Sequence, residues 1–96
     1  MSSTFRVLAA SHFTRLFGKL EKTHPDLPSV YGKALFILAS DPYNRTRTHP
    51  IKKLVNVPEG EGQYRLRLAR WRFRYDIEDH DVILKFCGLR REETYR

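Results

Sequence analysis

The sequence predicts an α+β fold: an N-terminal strand, a two-helix hairpin, then a three-stranded antiparallel meander completing one sheet. Two observations carry this prediction. Between Phe13 and Leu38 the apolar residues recur at helical spacing, whereas after Gly62 the period changes to two. A third concerns size: 96 residues make a single domain, 1–96, with one modest core and no linkers, repeats or low-complexity tracts.

Phe5 and Val7 alternate with polar or small neighbours, as in a short first strand. Ser11 is then the candidate N-cap. Phe13, Leu16, Phe17 and Leu20 follow at the i, i+3, i+4, i+7 spacing of one helix face. Pro25 closes that helix near Thr23. A second helix begins around Asp26 to Pro28, where Asp26 can cap and Pro28 suits the first turn. Leu27, Val30, Tyr31, Ala34, Leu35 and Leu38 form its apolar stripe, and Asp41-Pro42 ends it.

Residues 43–62 read as irregular, with Pro50, Pro58, Gly60 and Gly62, and they contain the short piece Ile51-Lys52-Lys53-Leu54. At roughly twenty residues this connection is longer than usual, which points to a functional loop or an edge segment. Beyond it, Tyr64, Leu66 and Leu68 alternate with Arg65, Arg67 and Ala69. Trp71, Phe73, Tyr75 and Ile77 alternate with Arg72, Arg74, Asp76 and Glu78. Glu78-Asp79-His80-Asp81 is a turn, and residues 82–87 form the last strand.

Composition narrows the function classes. Eighteen Lys and Arg against eleven Asp and Glu give a net charge of +7, a balance that favours polyanionic partners over a merely solvated surface. A lone cysteine, Cys87, excludes an internal disulfide framework and fits a reducing compartment. It lies in an apolar run and reads as a small buried side chain. The first seventeen residues have no continuous apolar stretch, so neither a signal peptide nor a spanning helix is expected, and a cytoplasmic protein with no membrane partner follows. No Gly-rich phosphate loop, paired catalytic carboxylates or Cys/His metal spacing is present, so no cofactor or metal is expected.

The arginines carry the sharper reading. With Ala69-Arg70 as a two-residue turn, Leu68 faces Trp71, Leu66 faces Phe73 and Tyr64 faces Tyr75, all on the core side. The same register sets Arg67 opposite Arg72 and Arg65 opposite Arg74. Like charges directly opposed across a sheet are destabilising. Arg rather than Lys throughout suits bidentate phosphate contact. An anionic ligand is therefore expected on this face. The alternative is a solvated outer face on which Asp76 and Glu78 neutralise part of the charge.

The second half resembles the RelE/ParE toxin superfamily. The residues carrying the likeness are Tyr64-Arg65-Leu66-Arg67-Leu68-Ala69-Arg70-Trp71-Arg72-Phe73-Arg74-Tyr75, then Val82-Ile83-Leu84-Lys85-Phe86, then Arg90-Arg91-Glu92-Glu93-Thr94-Tyr95-Arg96. The piece Ile51-Lys52-Lys53-Leu54 and the helical hairpin also look like the family, whose order of motifs is more specific than any one of them. One departure is Ala69-Arg70, where many relatives carry Gly-Asp. The resemblance implies a RelE-like fold and the toxin of a type II toxin–antitoxin system. In its RelE-like branch it implies a metal-independent endoribonuclease (an mRNA interferase) that cuts mRNA on the ribosome and inhibits translation.

By position, Arg65, Arg67 and Arg72 match the family's basic residues on the central strands. Arg90 or Arg91 matches the arginine after the last strand, and Tyr95 the closing tyrosine. The resemblance thus implies Arg65, Arg67, Arg72, Arg91 and Tyr95 as catalytic residues, with Arg74, Arg90, Lys52 and Lys53 binding RNA. Arginine stabilises phosphorane-like charge well and transfers protons badly, its pKa exceeding about 12. Tyr95 is the candidate base or base-stacking ring, although a phenol near about 10 needs nearby cations to lower it. Among the histidines His49, in the long connection, is the one to test.

The implied partners are the ribosome with its mRNA and a cognate acidic antitoxin, in a toxin–antitoxin hetero-oligomer. Such an antitoxin covers the basic surface with an acidic, apolar segment that wraps the helices or adds to a sheet edge. The second reading is the non-enzymatic ParE-like branch, which inhibits DNA gyrase and usually lacks the closing Arg/Tyr set. A third is a basic RNA-binding module without toxicity.

Overall fold

Segments with a two-residue period become strands and those with helical spacing become helices. The computed structural model of the protein describes residues 5–89. They form β1 (Arg6–Ala9), α1 (Ser11–Glu21), α2 (Leu27–Ser40), β2 (Ile51–Lys53), β3 (Tyr64–Leu68), β4 (Trp71–Glu78) and β5 (Asp81–Leu89). The strands build one mixed sheet in the order β1-β5-β4-β3-β2. β1 runs parallel to β5, and the other neighbouring strands are antiparallel.

The α+β class is as expected, but the sheet has five strands rather than four. Ile51-Lys52-Lys53 pairs with β3 as a fourth strand of the meander. Three residues are too few to display a period of two, so only the pairing reveals them. The ladder extends past both ends, with the Arg67 amide donating to the Pro50 carbonyl and the Leu54 amide to that of Gln63. Pro50, lacking an N–H, suits this edge position. Since β1 and β2 are the two edges, the helical hairpin and the connection after it carry the chain from one edge of the sheet to the other.

Both helix starts differ from expectation in their caps. Ala10, with φ −68° and ψ 156°, takes the N-cap of α1, and Ser11 is already helical. The Ala10 amide donates to Leu84 in continuation of the β1 ladder, so strand passes directly into helix. Asp26 does sit at the N-cap of α2, with Pro28 in the first turn, yet makes no cap bond. Its carboxylate instead accepts hydrogen bonds from Trp71 Nε1 at 2.9 Å and from Arg70 Nη2 at 2.9 Å. A local cap gives way here to a tie between α2 and the β3–β4 turn.

Helix residues Phe13, Leu27, Ala34 and Leu38 bury against Leu66, Trp71, Phe73, Tyr75, Val82, Leu84 and Cys87 of the sheet. Each large side chain so buried contributes about 1.5–3 kcal/mol. Tyr31 joins the layers, its ring centroid 4.7 Å from Phe17 and 6.2 Å from Phe73. The Tyr75 hydroxyl donates to the Pro42 carbonyl at 2.7 Å, which satisfies its polar tip and pins the end of α2. Cys87 is a buried core side chain as expected, and burial pushes its thiol up to about 12, far from a reactive thiolate.

The β3–β4 register is the expected one: Leu68 pairs with Trp71, Leu66 with Phe73 and Tyr64 with Tyr75. Ala69 makes the two-residue turn with φ +54°, a left-handed conformation that costs a Cβ-bearing residue about 1–2 kcal/mol. Ala69→Gly is therefore expected to stabilise the fold by about 1 kcal/mol, part of the gain being offset by chain entropy. Urea unfolding checks this: the midpoint rises at unchanged slope, and an unchanged or lower midpoint contradicts it.

Candidate nucleic-acid interface

Alternation along β3 and β4 sends the aromatic residues to the helices and the arginines to the opposite face, which neither helix covers. Arg65 pairs with Arg74, and Arg67 with Arg72, as the sequence predicts. β2 adds Lys52 opposite Arg65, so Lys52, Arg65 and Arg74 form one row across three strands. Lys53 does not join them. It pairs with Tyr64 on the helix side, with Nζ 5.6 Å from that ring. Arg67 and Lys52 are exposed, Arg65 and Arg74 half-buried, and Arg72 is only 7% exposed. Arg90, Arg91 and Tyr95 lie outside the described residues.

Opposed guanidiniums need compensation, and the loop before β3 supplies part of it. Arg74 donates from Nε to the Gly62 carbonyl at 3.2 Å and from Nη2 to that of Glu61 at 3.1 Å. Two residues along the same face, buried Asp76 accepts the Gly62 and Gln63 amides, each at 3.0 Å. One cation and one anion thus grip the same turn by its carbonyls and its amides. Gly62 is required there: its φ is +84°, and a Cβ would stand 2.9 Å from Arg74 Cβ. The Asp76 carboxylate is directed at backbone amides, and Glu78 lies exposed near the far end of β4. Sequence reading did not anticipate this grip, because nothing local links Gly62 to β4.

Arg70 leaves the arginine face at the turn and pairs with Asp26. Hydrogen bonds from Arg70 and Trp71 hold the Asp26 carboxyl well below the usual carboxylate range. Asp81 is likewise lowered by a hydrogen bond from Arg6. Asp41, which burial pushes up, is brought below its ordinary value by the Thr46 hydroxyl and the Arg45 and Thr46 amides.

His49 belongs to that same Asp41 loop. Its amide donates to Asn44 Oδ1, its carbonyl accepts from Asn44 Nδ2, and its Nε2 lies 3.8 Å from Asp41. Those contacts give His49 a role in shaping the connection between α2 and β2. His24 stands edge-on to Trp71, and His80 packs near Phe5. Among the described residues no group of three His, Cys, Asp or Glu side chains is placed to hold a metal ion, and no helix is long and apolar enough to cross a membrane.

The arrangement is suited to a polyanion: a cationic row and a second arginine pair, of which Arg67 is the exposed member, share one sheet face, and guanidinium forks match phosphate oxygens. No protein-family model, curated protein or solved structure matches the chain.

The lowered carboxylates make stability depend on pH. A group whose folded pKa is depressed contributes stability that is present above its unfolded value, near about 4, and is lost as pH falls through the folded one. Urea midpoints are expected to decline progressively below about pH 5. Asp26→Asn should lower the midpoint at neutral pH and make this acid decline shallower. A decline parallel to that of the wild type would show that the Asp26 tie adds nothing.

Proposed function

We propose that the protein is the toxin of a type II toxin–antitoxin pair, a RelE-like, ribosome-dependent mRNA endonuclease acting in the cytoplasm. The observation that carries this reading is the pairing of Arg65 with Arg74 and Arg67 with Arg72 on the sheet face opposite the helices. A face that only needed solvation would not set four like charges in two opposed pairs. Lys52 on the adjoining strand extends the same surface.

In this reading Arg65, Arg67 and Arg72 surround the scissile phosphate of an mRNA held by the ribosome, and stabilise the charge that develops as the 2′-hydroxyl attacks. Arg74 binds RNA through whatever of its guanidinium the loop carbonyls leave available. Tyr95, with Arg90 and Arg91, completes the site as base or stacking ring. Orientation of the substrate by the ribosome supplies much of the rate. An acidic antitoxin neutralises the same surface until it is removed.

The test is mapping of mRNA 5′-ends after brief induction in a bacterial host, with translated and untranslated copies of one transcript compared. New ends at codon-related positions, in the translated copy alone, are the expected result. Growth arrest without new ends would point instead to a gyrase-type target, and neither effect would leave a basic binding module.

Arg67→Ala makes the sharpest variant because Arg67 is exposed, so its removal should shift stability by no more than about 0.5 kcal/mol. It is expected to slow cleavage by about a hundredfold. Undiminished cleavage by this variant would remove Arg67 from the active surface.

A further inference from the structure

The outer sheet face has an apolar border beside its cations. On β5, Phe86 pairs with Arg74 and Leu84 with Tyr75, leaving Lys85 as the extra residue of a bulge. Before the bulge Val82 and Leu84 point to the core. After it Cys87 does, and Phe86, half-buried, lies on the outer face opposite Arg74. Without that one extra residue, Phe86 would continue the inward phase of Val82 and Leu84. Gly88, opposite Arg72, lets the Phe86 side chain lean along its own strand: a Cβ at Gly88 would lie 2.8 Å from the ring's Cζ and 3.0 Å from Cε2. Half-buried Ile83 and, on β1, Leu8 at 39% exposure continue the border.

We propose that Phe86 is a stacking platform for an unpaired base of single-stranded RNA, held beside the arginine pairs by the Lys85 bulge and by the space over Gly88. This rests on the reading of the arginine face as an RNA surface. A strand laid along β3 and β4 sets its phosphates on Lys52, Arg65 and Arg67, and its bases reach β5. Every base has a π face, so an aromatic beside cations recognises single strands with little regard to sequence. A duplex keeps its bases stacked internally and gains nothing from the ring.

The test is fluorescence anisotropy at low salt with a short single-stranded RNA and its abasic counterpart of equal length. Phe86→Leu keeps apolar bulk and removes the π face. It is expected to weaken binding of the intact RNA about tenfold and leave the abasic one unchanged. Since it removes no charge, the salt dependence should stay the same. Phe86→Tyr should bind as the wild type does. Gly88→Ala, which displaces only the far end of the ring, should reproduce part of the loss in a folded protein. Arg67→Ala, by contrast, should weaken both RNAs and flatten the salt dependence. If Arg67→Ala acts as expected while Phe86→Leu binds like the wild type, or weakens both RNAs equally, the platform is overturned and the arginine face stands. If neither variant affects either RNA, the RNA reading of the face falls, and the platform with it.

Discussion

The register of the β3–β4 hairpin is the constraint on which the other features depend. Sidedness in a strand has a period of two, so a slip of one residue would expose Trp71, Phe73 and Tyr75 and bury Arg72 and Arg74 beneath the helices. Two devices prevent that slip. The turn is two residues long, with Ala69 in a strained left-handed conformation. Directly after it, Arg70 and Trp71 are anchored on Asp26 at the start of α2. The anchor links the hairpin to the helical layer and the turn sets its phase, so core and charged face are established together.

Such a register creates an electrostatic problem that backbone dipoles relieve in part, at Arg74. Arg74, opposed to Arg65, turns part of its guanidinium to the carbonyls of Glu61 and Gly62. Asp76 takes the amides of the same turn from the other side. The loop is thereby fastened to the sheet, and Arg74 gains partners that add no net charge. The residues of Arg65's face differ in availability: Arg67 and Lys52 are exposed, Arg65 and Arg74 half-buried, and Arg72 buried. In the proposed nuclease exposed Arg67 and Lys52 meet the substrate first, and buried Arg72 acts from a fixed position, which suits transition-state stabilisation better than a mobile side chain does.

Across β5 the outer face changes from charged to apolar, and the bulge at Lys85 is the cause. One inserted residue reverses the phase of a strand, placing Cys87 in the core and Phe86 outside. The face is thus composite, with cations over β2, β3 and β4 and an aromatic and aliphatic border over β5 and β1. That composition resembles what a single-stranded nucleic acid itself presents, a charged backbone on one side and bases on the other.

Local chain geometry was enough to foresee both helices, the central hairpin with its register, and the gathering of Arg65, Arg67, Arg72 and Arg74 on one face. Helical spacing and alternation are properties of contiguous residues, and a short turn leaves two adjoining strands little choice of pairing. Tertiary structure alone decided the rest. β1 finds a parallel partner in β5 at the other end of the chain, and β2 is a strand only because β3 is beside it. That edge pairing selects Lys52 and turns Lys53 away from the face, a distinction invisible in a three-residue segment. Asp26 forgoes a cap for Trp71 and Arg70, and Asp76 and Arg74 engage a distant turn. In each case the interacting groups are remote in sequence, and only the folded chain brings them together.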